Sequence, residues 1–418
     1  MRGKQALRVV ALVIIILLAS RAESDAQVRV GYRSGSQAEL ALLTELKRAY
    51  ESAVPGAQVE LVPLDSTHPQ QLLEWLVTGS KADVFLLPVQ TIAALKRTGA
   101  LMTLAGSRWH GLEQALYNFP PGMRQAYSEE RGPVGVPVTA DVALFQYNES
   151  MMQNAGLPPL SRLGETWTWH DMIEVGRRVS VPEQRRYLVD IDFEFVAVYF
   201  LAHGDVIDPE GKPDLLNQFN AQFLDLASRA INEERISPPL TQQSDSSGRF
   251  RRGVLGMRRR NISQMLPGTL DRDGLQLAFE WDVVPLPLSP YTYRRPAFGE
   301  GSGLVVGQGA VVTPDLVGFL EMAASVEGQQ AVARSGYAFP ASPLLWEAAM
   351  LYAPGPPNNR AAFAQAIQEW TFFAFPQVSD AEVNRLVASL GAILSGNVDP
   401  EQGLRMIQIT LDEIYRED

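Results

Sequence analysis

Residues 27–105 alternate strand and helix patterns with glycine or proline at most of the joins, and few folds accommodate that order. Val28-Arg29-Val30-Gly31-Tyr32 reads as a short buried strand. Leu42, Leu46, Ala49 and Tyr50 recur at i, i+4, i+7 and i+8, one face of a helix that Pro55-Gly56 stops. Gln58–Leu64 alternates as a strand, Gln70–Thr78 is helical up to Gly79, Ala82–Leu87 is a strand, and Thr91–Thr98 is a helix with Gly99 beyond it. A β-α-β-α-β-α succession predicts a largely parallel sheet with helices on both faces. Ligands of such sheets sit beyond the carboxyl ends of the strands.

The chain then changes character. Pro133–Asn148 is long, extended and apolar without a helical period, which suits a single strand crossing between lobes. A short helix through Met151 and Met152 ends at Gly156. Thr168-Trp169-His170-Asp171 is a capping-box start for a helix with Met172, Ile173, Gly176 and Val179 on one face. Residues 190–235 read as mostly helical, 236–248 as a polar loop and Gly253–Met257 as a strand. Trp281–Leu288 reads as a second crossing. Thr313-Pro314 opens a helix with Leu316, Phe319, Leu320 and Ala323 on its apolar face, and 344–418 is mainly helical. At 418 residues, the chain exceeds what one hydrophobic core usually holds, so two domains are expected.

Charge and termini narrow the function. The net charge of −11 disfavours a nucleic-acid partner, and the lack of cysteine excludes disulfides, thiolate catalysis and Cys-ligated metals. Arg2, Lys4 and Arg8 precede an apolar run from Val9 to Ala19, and Ser24-Asp25-Ala26 offers small residues two apart. That is the pattern of a secretory signal cleaved near Ala26, although an uncleaved anchor is the alternative. Cleavage would remove four basic and two acidic residues, taking the charge from −11 to −13.

A series of short blocks then resembles, in order, the family 1 extracellular solute-binding proteins, the group that includes maltose-binding protein. Ala82-Asp83-Val84-Phe85 with Gly99–Leu104, Gly135-Val136-Pro137 through Tyr147-Asn148, and Ala155–Pro159 with Thr166–Trp169 carry the first part. Phe250, Gly253, Gly256-Met257, Val284–Pro287, Gly336–Pro340, and Leu394-Ser395-Gly396 with Pro400–Leu404 carry the rest. The resemblance implies a type II periplasmic-binding-protein fold of α/β class. Two lobes, each a mainly parallel sheet flanked by helices, would be joined by a hinge of crossing segments. It places lobe 1 at 27–138 plus 287–340 and lobe 2 at 139–286 plus 341–418. The chain departs from the family at three points. It has no lipobox cysteine, Leu87 is aliphatic where an aromatic is common, and Val383 falls where a sugar-stacking aromatic is expected. The first departure implies a soluble periplasmic form, and the other two weaken the inference to oligosaccharides.

A sugar needs directed hydrogen bonds to its hydroxyls and an aromatic face for its ring. Tyr32, Arg33, Ser34 and Ser36 follow the first strand and are either ligand contacts or a helix cap with solvated surface. Gln90 follows the third strand, as a polar ligand contact or a helix-starting residue, and Asp65 follows the second, where the turn-residue reading is favoured over a ligand contact. Asp141 lies among apolar residues in the crossing strand, where the resemblance places an acidic ligand contact. A salt bridge in the hinge is its alternative. Asp192 and Glu194 are ligand contacts on lobe 2 or charges at a helix start. Arg260, Asn261 and Ser263 follow the Gly256-Met257 strand, Ser302 and Gly303 sit where the chain re-enters lobe 1, and Tyr337 offers a stacking ring. Trp167 and Trp169 are expected in the core; Trp109 and Trp281 stay undecided.

Catalysis finds little support. The histidines His68, His110, His170 and His203 are widely spaced, and no nucleophile elbow or phosphate loop is present. The resemblance implies a monomeric binding component of an ABC importer, not an enzyme, without cofactor or metal. It would capture a small polar solute, a sugar or oligosaccharide, and pass it to the membrane permease. A secreted glycan-active hydrolase using Asp192 and Glu194, or a binding lobe that feeds a sensor kinase, are the alternatives.

Overall fold

The computed structural model describes residues 27–65, 68–200, 202–203, 213–266, 277–296, 298–346, 356–368, 370–372 and 379–415. The expected signal segment lies outside them. In chain order, strand β1 (Gln27–Arg33), helix α1 (Gln37–Ala53), β2 (Gln58–Leu64), α2 (Pro69–Thr78), β3 (Val84–Pro88), α3 (Val89–Lys96), α4 (His110–Leu116) and α5 (Pro121–Ala126) lead to β4 (Gly135–Pro137). Next come β5 (Ala143–Asn148), α6 (Glu149–Asn154), α7 (Trp169–Val179), α8 (Phe193–Phe200), α9 (Gln218–Asn232), β6 (Met257–Asn261) and β7 (Trp281–Pro285). The chain continues through β8 (Ser302–Val306), α10 (Pro314–Ala324), α11 (Val326–Arg334), α12 (Ala361–Gln368), α13 (Asp380–Leu394) and α14 (Pro400–Ile414). No described helix is long and apolar enough to cross a membrane.

The chain divides into two compact units, with boundaries at Ala140/Asp141 and Gly299/Glu300 and a third between the described residues 346 and 356. The first is built on a sheet of order β2-β1-β3-β8-β4. β1 pairs parallel with β2 and β3, while β8 runs antiparallel between β3 and β4. Val84–Leu87 of β3 is buried at every position, as its unbroken apolar run requires of a strand covered on both faces. Asp83 ties β3 to β1: its carboxylate accepts the Arg29 guanidinium at 2.8 and 3.1 Å, and its N–H donates to the Arg29 carbonyl. Gly79 ends α2 in the left-handed region at φ 64°. Leu42, Leu43, Leu46 and Tyr50 form the buried face of α1, and Tyr50 meets Phe319 of α10 edge-on.

The second unit has a three-stranded sheet of order β6-β5-β7, antiparallel at both pairings. This corrects the parallel sheet expected there: β5 pairs with two strands whose connections reverse direction, and no β-α-β crossover feeds it among the described residues. Its core is aromatic. Trp169 stacks on Phe195 and meets Phe223 edge-on at 4.7 Å, and Phe145 packs against Trp167. Both tryptophans are buried, as are Trp109 and Trp281. Leu390, Ile393 and Leu394 of α13 and Leu404 and Ile407 of α14 close the same core.

Pro133–Asn148 is not one strand. β4 ends at Pro137, β5 begins at Ala143, and the chain leaves the first unit between them. Trp281–Leu288 is not a crossing either. The Trp167 indole donates to the Pro285 carbonyl, the Tyr199 hydroxyl to Pro287 and the Arg295 Nε to Leu286, so residues 287–299 belong to the second unit. Residues 341–346 belong to the first: the Ala341 N–H donates to Val138 and the Ser342 N–H to the Gln329 side chain. The strand expected at Gly253–Met257 lies at Met257–Asn261, after a left-handed turn at Gly253.

Candidate functional site

In the first unit, register gathers most of the candidates at one sheet end. The parallel strands β1, β2 and β3 finish together, and antiparallel β8 begins there, with Ser302 opposite Pro88 and Gly303 opposite Leu87. The Ser34 N–H donates to the Leu64 carbonyl, which places Asp65 beside the end of β1, and the Val89 N–H donates to Gly301, which places Gln90 beside the start of β8. Tyr337 reaches the same end, because two residues later Phe339 accepts the Ala140 N–H and Pro340 bridges Thr139. Tyr32, Gln90 and Tyr337 are half-buried, while Arg33, Ser34 and Asp65 are exposed.

Several of these groups are already engaged. The Ser36 hydroxyl caps α1 by accepting from Glu39, and Arg33 pairs with the Glu39 carboxylate at 3.0 Å. Helix-cap and surface readings therefore account for both. The Ser302 N–H donates to the Thr139 hydroxyl at 2.8 Å. Gly303 is required by packing, since a Cβ there would stand 2.1 Å from the Tyr127 ring.

The second unit gathers another set at the start of β5. Ala143 and Leu144 face Asn261 and Arg260 of β6. Asp141 is buried and accepts both the N–H of Ser263, at 3.0 Å, and its hydroxyl. This pair of hydrogen bonds compensates the carboxylate for its burial. The Asn261 side chain forms a capping box with Gln264. Asp192 caps α8 by accepting the Phe195 N–H at 2.7 Å, and burial holds its carboxyl above the usual range against the pull of Arg259. Glu194 pairs with Arg259. The two acids thus serve a helix start and an ion pair, which disfavours a paired-carboxylate hydrolase.

Two features were not singled out from the sequence. Thr139 anchors Ser302, but a lone threonine in an apolar run gives no signal. Asp190 pairs with Arg249 at 2.7 Å, and burial pushes its carboxyl up to about 6 despite that cation. Fifty-nine residues separate these partners, beyond any local pattern. His203 is buried with Nδ1 against the Asn220 carbonyl oxygen at 2.8 Å and Nε2 against the Ser289 hydroxyl at 2.9 Å, a core role rather than a ligand. What the two sets offer is directed hydrogen bonding, charge and half-buried aromatic surface, the equipment of reversible polar binding.

This architecture and topology define a class: the chain has the type II periplasmic-binding-protein fold. No family model and no curated protein sequence matches the chain. Among solved structures it is similar to an ABC substrate-binding protein from Listeria monocytogenes in complex with cycloalternan, at 17% identity and TM-score 0.67 over 94% of this chain and 98% of that one. It is also similar to a cyclic alpha-maltosyl-1,6-maltose binding protein from Arthrobacter globiformis, at 14% identity and TM-score 0.75 over 94% and 99%. A sugar transporter from Rhizobium etli in an open conformation gives 19% identity and TM-score 0.75 over 92% and 99%.

Proposed function

We propose that this chain is the solute-binding component of an ABC importer, that its ligand is a sugar or oligosaccharide, and that it hands that ligand to a membrane permease without chemical change. One observation carries the reading: the likeness runs through both units and nearly the whole length of a substrate-binding protein in complex with cycloalternan, a cyclic alpha-maltosyl-1,6-maltose binding protein and a sugar transporter. The first unit supplies Tyr32, Asp65, Gln90, Ser302 and Tyr337, and the second supplies Asp141, Arg260 and Asn261. Arg33, Ser34, Ser36, Asp192, Glu194, Ser263 and Gly303 support them through caps, pairs or backbone. The two sets are joined through Ala140–Asp141, two residues from the Thr139 that anchors Ser302. The basic and apolar N-terminal segment fits export, which would put the protein where such importers collect solute.

A thermal-shift screen of the mature protein against sugars, polyols and amino acids tests the reading. A ligand that binds only the folded state raises the midpoint with the logarithm of its concentration. At least one mono- or oligosaccharide is expected to do so. A screen in which amino acids shift the midpoint and no carbohydrate does would remove the sugar assignment.

A further inference from the structure

The first unit holds a pocket that the sugar-binding reading does not use. It has a volume of about 260 Å³ and lies beside the edge strand β4, between α4 and α5. Its walls are largely apolar: Leu116, Pro133 and Pro137 line it, with Tyr117 at its rim, 75% exposed. Two polar groups of lining residues have no partner among the described residues. The Tyr127 hydroxyl is buried and makes no hydrogen bond, although the residue is only 2% exposed. The Nε of Arg124 is likewise buried and unbonded. The Arg124 guanidinium lies over the Tyr117 ring, 5.4 Å from its centroid, and no described carboxylate pairs with it.

Tyr127 cannot easily turn away, and the backbone that follows Arg124 is fixed. The Tyr127 ring is pressed against the Gly303 backbone, and its carbonyl accepts the Val134 N–H. The end of α5 is held by Lys96, whose ammonium donates to the Ser128 carbonyl at 2.8 Å and to Gln125. Buried polar groups left unpaired are costly, and a native structure holding two in one pocket needs an explanation.

We propose that this pocket binds a small organic monocarboxylate with an apolar or aromatic body. Arg124 would supply the charge-assisted donor, Tyr127 a second donor, and Leu116, Pro133 and Pro137 the apolar contact. A single cation favours a single negative charge. Glu113 lines the same pocket, with one oxygen accepting the Gly106 N–H, and adds a negative charge that disfavours phosphates and dicarboxylates.

Benzoate is a suitable probe and benzamide, the same ring without charge, its control. Calorimetric titration of the mature protein is expected to show one benzoate site and no benzamide binding. Arg124→Gln and Tyr127→Phe should each weaken benzoate roughly tenfold or more. Tyr127→Phe keeps the ring against Gly303 and should leave the melting temperature unchanged or raised, so lost binding there is not lost folding. The assignment is overturned if benzoate does not bind at about 10 mM, if benzamide binds equally well, or if both variants retain wild-type affinity. Saturation of any sugar site should leave benzoate affinity unchanged; competition between them would also overturn a separate pocket.

Discussion

His203 shows how a single buried side chain sets the pH response. The Asn220 amide nitrogen donates to the Leu215 carbonyl, so its oxygen faces His203, fixing the proton on Nδ1 and leaving Nε2 to accept from the Ser289 hydroxyl. Burial among Tyr199, Phe223 and Tyr291 pushes the imidazole down to about 4. An unfolded histidine titrates near 6.5, so between those values the unfolded chain binds the extra proton. The contribution of His203 is therefore full above pH 6.5 and is lost as pH drops towards 4, while Asp190, its carboxyl raised to about 6 by burial, works in the opposite sense over the lower part of that window. Urea unfolding of wild type and His203→Gln at stepped pH should isolate the histidine: the stability difference between the two is expected to shrink as pH falls from 6.5 towards 4. Gly303 gives a second test at this scale. Its missing Cβ makes room for Tyr127, so Gly303→Ala should cost about 1–3 kcal/mol, read as a lower urea midpoint with an unchanged m-value.

Elements differ in how far their residues announce them. β1 through α3 follow the pattern expected from residues 27–105, because each has its own period and its own glycine or proline stop. α7 is equally plain: Thr168 and Asp171 form the capping box that their spacing requires. Thr168→Ala should destabilise by about 1 kcal/mol, measured by urea unfolding, and Thr168→Ser should restore most of it. β6 shows where reading stops. Arg258-Arg259-Arg260 has the look of a solvated edge, yet Arg258 is buried because its Nε donates to Gln146 across the sheet and its guanidinium covers Phe250 at 4.7 Å. Those partners are distant in sequence, so the local pattern pointed to the turn before the strand. The break at residues 138–142 was hidden for a similar reason. Val138, Ala140 and Val142 are apolar and buried, but they leave one unit and enter another instead of continuing a strand. The candidate site was legible at strand ends, where chain order alone fixes position. It was not legible where a hydroxyl or carboxylate is consumed within the protein, by a cap for Ser36 and Asp192 or by Asp141 for Ser263.

At the scale of the molecule, each unit carries its own sheet and core, and the chain passes from one to the other at Ala140–Asp141 and back at Gly299–Glu300. Both described links lie close in sequence to proposed binding groups: Asp141 at the first and Ser302 just past the second. A solute bound by either set would order that set. The amides of Val89, Val138, Thr139 and Ser302 report on the first set through their bonds to Gly301, Ser302 and Thr139. The amides of Ile262 and Ser263 report on the second through Val142 and Asp141. Such amides exchange by local opening, which a ligand must reverse. Saturating sugar should therefore slow exchange in the first set, at Val89, Val138, Thr139 and Ser302, with amides of the Thr168 capping box as unaffected references. Each set is read on its own: unchanged exchange at the first would remove its strand-end residues from the binding reaction, and unchanged exchange at Ile262 and Ser263 would leave Asp141 a purely structural acid.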